Sequence, residues 1–122
     1  MGHSNQPLVL VVEDEPFVRM IAAEGLEDAG FEVLEADSAD AALRILNSRS
    51  DVRVLFTDIN MPGSVDGVEL ARLVHERWPE LRIVITSGRE QPAAAEIPDD
   101  GRFVPKPYRP REVAHVIEEL IG

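Results

Sequence analysis

Along the chain, short apolar and β-branched runs alternate with longer stretches in which apolar residues return every three or four positions. Five runs are of the first kind: Leu8–Val12 and residues 31–36, 52–56, 81–86 and 102–104. The first and third are apolar enough for strands covered on both faces, as in a parallel sheet. Between them lie helical patterns. After Pro16, suited to a first helical turn, Phe17, Ile21, Gly25 and Ala29 recur on one face until Gly30 ends the pattern. Asp37 or Ser38 caps a second helix lined by Ala39, Ala42, Leu43 and Leu46. A third carries Gly67, Leu70, Ala71 and Val74 inward and stops at Pro79, with Trp78 as a packing residue at its end; a last one follows Pro110 with Val113, Ala114, Ile117 and Ile121. Between 89 and 100, Pro92 and Pro98 leave room for about one or two helical turns. Pro105 removes a ladder donor, which places the fifth strand at a sheet edge. The alternation predicts an α/β doubly wound sheet of five parallel strands with about five helices, the fourth short or irregular, and right-handed crossovers.

The predicted strands end in chemistry. The first runs into Glu13, Asp14 and Glu15, the third into Asp58 before Pro62 and Gly63 turn the chain, the fourth into Ser87 and the fifth into Lys106. Ligands of an open α/β sheet bind outside the carboxyl ends of its strands, so these residues converge on the functional edge. An isolated Asp before a turn commonly caps a loop; the company it keeps sets Asp58 apart. Three carboxylates close together repel unless a hard cation sits among them, and an oxygen-rich, partly hydrated site selects Mg²⁺ or Mn²⁺. With the metal and Lys106 neutralising phosphoryl oxygens and Ser87 donating a hydrogen bond, Asp58 is placed as a nucleophile that forms an acyl phosphate.

Composition narrows the class. A chain of 122 residues has room for one core, and 44% hydrophobic with 29% charged residues suits an ordinary globular domain. No apolar run approaches the ~20 residues of a membrane helix. The polar start reads as a disordered or expression-derived tail over 1–6, with the domain over 7–122; lacking a basic cluster and an apolar stretch, it predicts a cytoplasmic protein. There is no cysteine, so thiolate metal sites and disulfides are excluded. His3, His75 and His115 fall in the tail or on helix surfaces, which gives zinc no support. A net charge of −11 repels phosphates and argues against direct nucleic-acid binding.

Four segments together resemble the receiver domains of two-component response regulators: Val11-Val12-Glu13-Asp14-Glu15, Thr57-Asp58-Ile59-Asn60-Met61-Pro62 with Asp66-Gly67, Thr86-Ser87-Gly88, and Phe103-Val104-Pro105-Lys106-Pro107. The likeness runs from Leu8 to Ile121. It implies a flavodoxin-like fold of strand order 2-1-3-4-5, with Asp58 as phosphoacceptor. By the same resemblance Mg²⁺ is held by Glu13, Asp14, Asp58 and the backbone carbonyl of Asn60, and Lys106 contacts the phosphoryl group. Ser87 and Phe103 are similar to the family's switch pair, Asn60 and Arg89 occupy the positions that tune dephosphorylation, and Lys106-Pro107 is a candidate cis bond. The implied partners are a histidine kinase or histidine phosphotransfer protein and a downstream protein, without nucleic acid or membrane; a homodimer is compatible with the class.

Two departures stand out. The loop from Met61 to Gly67 is one residue longer than the commonest form, and the connection from Ser87 to Phe103 is shorter and richer in Pro and Ala, which bears on output through the fourth helix rather than on phosphorylation. An alternative from another class is a Mg²⁺-dependent phosphohydrolase with an aspartyl nucleophile. Such enzymes place an acid two residues after the nucleophile, where this chain has Asn60, and an amide does no general acid work. A constitutive binding module is disfavoured because no acid or lysine of the set is missing.

Overall fold

The computed structural model describes residues 6–61, 66–88, 97–98 and 101–122. Five parallel strands, β1 (Leu8–Val12), β2 (Glu32–Ala36), β3 (Val52–Asp58), β4 (Arg82–Ser87) and β5 (Arg102–Pro105), form one sheet in the order β2-β1-β3-β4-β5. Among the described residues there are four helices rather than five: α1 (Pro16–Asp28), α2 (Ala39–Ser48), α3 (Gly67–Arg77) and α4 (Pro110–Ile121). The short helix expected between 89 and 100 falls mostly outside the described residues.

The sheet splits the core in two. On one side Leu10, Leu55 and Ile85 pack under α2 and α3 with Ala42, Leu46, Leu70 and Val74. On the other, Val11, Phe56, Val84 and Val104 pack under α1 and α4 with Leu26, Val113 and Ile117. Every residue of β1 is buried, as a strand covered on both faces requires. Ser38 is the cap of α2 and accepts from Ala41 N–H at 3.1 Å; Asp66 caps α3, accepting from Glu69 N–H at 2.9 Å. Trp78 stands at the end of α3, half-buried against the α2/α3 side, with the Arg77 guanidinium 4.9 Å above its ring.

Two expectations are corrected. Helix α1 does not turn Phe17, Ile21 and Ala29 inward: it buries Ala22, Ala23 and Leu26, sets the half-buried Gly25 against α4, and leaves Phe17 64% and Ile21 42% exposed. The helix is apolar almost all round, so periodicity offers several stripes, and the one with small residues wins because it lets the helix lie close to the sheet. The strand ends also shift. β3 runs through Asp58 and β4 through Ser87, because Asp58 still pairs with Thr86 and Ser87 with Pro105. These side chains are therefore held on the sheet itself and not on the loops that follow it.

Candidate functional site

Strand alternation builds the site. Val11, Phe56, Val84 and Val104 face α1 and α4, and two residues further along each chain segment come Glu13, Asp58, Thr86 and Lys106, on the same side by the period of two. A polar row thus crowns an apolar one. Lys106 Nζ lies between the acids, donating to Glu13 Oε1 and Asp58 Oδ2 at 2.9 Å each. The remaining oxygens bond to backbone: Glu15 N–H donates to Glu13 Oε2 at 3.1 Å and Asn60 N–H to Asp58 Oδ1 at 3.2 Å. Asp14 is half-buried, and one carboxylate oxygen from each of Glu13, Asp14 and Asp58 lies within 4.8 Å of the others. An all-oxygen set of this kind, still negative after Lys106, suits a hard divalent cation.

The loops around this row are tied to the strands. Ile59 N–H donates to Thr86 carbonyl, Lys106 N–H to Ser87 carbonyl and Gly67 N–H to Ile59 carbonyl, each at 2.9 Å. The last contact explains Gly67: a Cβ there would stand 1.8 Å from the Asp58 carbonyl oxygen, so only glycine lets α3 begin against the backbone of Asp58. Lys106-Pro107 is cis.

Burial and charge pull on these groups in opposite directions. Burial raises the Glu13 pKa, and the hydrogen bonds from Lys106 and Glu15 N–H only partly offset it. Burial works against the charge on Lys106, but its bonds to Asp58 and Glu13 win, and its pKa stands above the ordinary lysine value. Tyr108, edge-on to Phe56 at 5.4 Å between ring centroids, is pushed up to about 12, first by burial and then by the charge of Glu13. With Val18, Ile21, Gly88, Lys106 and Pro107 it lines a cavity of about 330 Å³ beside Lys106.

Of the residues singled out in the sequence, Glu13, Asp14, Asp58 and Lys106 are brought together. Asn60 contributes its N–H to Asp58. Ser87 ends β4, buried and in register with Pro105, and Phe103 lies half-buried on β5, two residues before that partner, on the α2/α3 side. Arg89 lies outside the described residues. Sequence reasoning missed Tyr108 and Arg19. Arg19 Nη1 donates to the Glu13 carbonyl at 2.8 Å; its spacing of six from Glu13, one turn into a helix, was the available signal.

Fold and acid cluster together define a phosphoryl-accepting signalling domain of the flavodoxin-like type. The family model described as "Response regulator receiver domain" matches residues 9–118, and the chain belongs to that family. It is 32% identical over 116 residues to the response regulator receiver protein CpdR of Brucella abortus, covering 93% of this chain and 95% of that one. It is 33% identical over 122 residues to the sensor kinase CckA of the same organism, covering 97% of this chain but 13% of the kinase. In structure it is similar to the receiver domain of NtrX from Brucella abortus, with a TM-score of 0.83 at 34% identity, 93% of this chain and 97% of that one being covered. The chain is a receiver domain of the two-component type, which decides against the phosphohydrolase alternative. No helix among the described residues is long and apolar enough to cross a membrane.

Proposed function

We propose that Asp58 takes a phosphoryl group from a phosphohistidine of a kinase or phosphotransfer protein, and that this switches the domain between two signalling states. One observation carries the reading: a carboxylate at the end of a central strand, paired with Lys106 and flanked by two more acids. An Asp58 oxygen attacks phosphorus, the P–N bond to imidazole breaks as the P–O bond forms, and the acyl phosphate remains on β3. Glu13, Asp14, Asp58 and the Asn60 carbonyl are the groups that would hold Mg²⁺, which when bound offsets phosphoryl charge. Lys106 stands within reach of the same oxygens and supplies the protein's own positive charge. Ser87 and Phe103 are read as the switch pair, the hydroxyl bonding the phosphoryl group and the ring moving into the space it leaves. The exposed Phe17, Met20 and Ile21 on α1, next to the cavity beside Lys106, supply apolar surface on which a donor protein can rest while its histidine reaches Asp58. The lifetime of the phosphorylated form is set in part by Asn60 and Arg89, since a guanidinium has only donors and cannot accept a bond from an attacking water.

The test is phosphorylation by acetyl phosphate followed by intact mass. A single phosphate is expected with Mg²⁺, and none after chelation or in Asp58→Asn. Phosphate that persists in Asp58→Asn overturns the assignment.

A further inference from the structure

The backbone that carries Glu13 and Asp14 is held from two directions. Glu13 N–H donates to the Ala36 carbonyl on β2 at 3.0 Å, one residue beyond the end of β1. The Glu13 carbonyl accepts from Arg19 Nη1 at 2.8 Å, and the same guanidinium donates through Nε to Glu35 Oε1 at 3.2 Å. Glu35 precedes Ala36, so the contacts close a ring: β2 holds the Glu13 N–H directly and holds the Glu13 carbonyl through Arg19. The Arg19 side chain is 21% exposed, well covered for an arginine, while Glu35 is 47% exposed. Arg19 itself is fixed in the first turn of α1, where its N–H bonds the Glu15 carbonyl at 2.9 Å.

The carbonyl that Arg19 holds is that of the peptide joining Glu13 to Asp14. Its rotation would swing the two carboxylates relative to each other, because one points to Lys106 and Asp58 while the other completes the cluster from the next residue. We infer that Arg19 is a positioning residue for the divalent-cation site: it touches no ligand oxygen, and acts by fixing the Glu13-Asp14 peptide so that both carboxylates face Asp58. This rests on the proposed metal-binding role of the cluster. Removing a group that orients metal ligands through a hydrogen bond typically costs about 10–100-fold in metal affinity. The guanidinium's own charge acts the other way, since a cation near the site repels a second one. The two effects have opposite signs, and that makes the inference testable.

The experiment titrates Mg²⁺ into the metal-free 122-residue chain by calorimetry, for wild type, Arg19→Ala, Arg19→Lys and Glu35→Gln, with thermal melts of each. Positioning predicts that Arg19→Ala weakens Mg²⁺ binding by on the order of tenfold, and that Arg19→Lys, which keeps the charge but loses the two-pronged geometry, restores only part of it. Glu35→Gln keeps an acceptor and is expected to bind Mg²⁺ within about twofold of wild type, as exposed ion pairs contribute little. Tighter binding in Arg19→Ala, with Arg19→Lys equal to wild type, would show that only charge matters and overturn the inference. So would an unchanged dissociation constant with a lowered melting temperature, which marks a purely structural arginine. If Arg19→Ala does not fold, Arg19→Lys against wild type decides on the same readout. A wild-type chain that binds no Mg²⁺ sinks the reading of the cluster instead, a different outcome from unchanged variants of a chain that does bind.

Discussion

Lys106 is the residue on which the acid row depends. Its side chain is 23% exposed, while those of Glu13 and Asp58 are only 5% and 7% exposed, so the two acids share one cation in a largely dry setting. Removing one partner of a buried pair leaves the other charge uncompensated, which costs more than the pair contributes. Lys106→Met is therefore expected to lose on the order of 3 kcal/mol of metal-free stability. Mg²⁺ should return part of that loss by binding the folded chain alone. Urea melts with and without Mg²⁺ check both halves; equal loss in the two conditions would mean that the ion and the ammonium do not answer the same charge. The raised Glu13 pKa has the same origin. Its ionised form is a liability to the fold, so its contribution is favourable below the ordinary value of 4.5 and is lost as pH rises through the raised one. Beside these residues the Thr86 hydroxyl, also in the row, has no hydrogen-bond partner among the described residues. It marks where the polar layer meets the apolar one.

At the scale of elements, helix α1 shows what periodicity can and cannot tell. Strands were legible because a run such as Leu8–Val12 has no polar face to hide. The inward stripe of α1 was not, because its choice was made by a neighbour. Gly25 packs on α4, where an added Cβ would stand 2.1 Å from Pro110 Cβ, and the small side of α1 is therefore committed to that crossing. Gly25→Ala sets a helix-propensity gain of about 0.5–1 kcal/mol against an overpacking cost of about 1–3 kcal/mol. A net loss of about 1–2 kcal/mol by thermal melt is expected, with NMR shifts at Lys106 to Tyr108, the segment leading into α4; a stabilised variant would show that the helices separate freely. The same logic sorts the site. Glu13, Asp14, Asp58 and Lys106 could be read from strand ends, since each closes or follows an apolar run. Arg19 and Tyr108 make their contacts through a carbonyl and a ring edge, and neither a carbonyl's partner nor a ring's neighbour is written in the pattern of one chain.

For the molecule as a whole, a loss of stability at alkaline pH is expected to begin at this same edge. Tyr108 has its folded pKa raised from 10.0 to about 12, and Lys106 stands above its ordinary 10.5. A raised folded value means a contribution complete below the unfolded value and lost as pH rises through the folded one, so stability is expected to fall between about pH 10 and 12. The chain has one tyrosine, so tyrosinate absorbance reads Tyr108 alone. A midpoint near 12 and a shallower alkaline loss in Tyr108→Phe are expected; a midpoint near 10 would mean a hydrated hydroxyl. The sheet that divides the core has a further consequence, for how such a molecule can change over generations. The exposed Phe17, Met20 and Ile21, proposed above as the resting place of a phosphate donor, stand on α1 in the α1/α4 half, whereas the Phe103 side chain packs on the α2/α3 half. The two halves share strand backbone and little packing. Mutations that retune which donor is accepted can therefore accumulate without repacking the side that would report the event, and each half is free to drift toward a new acquaintance at its own pace.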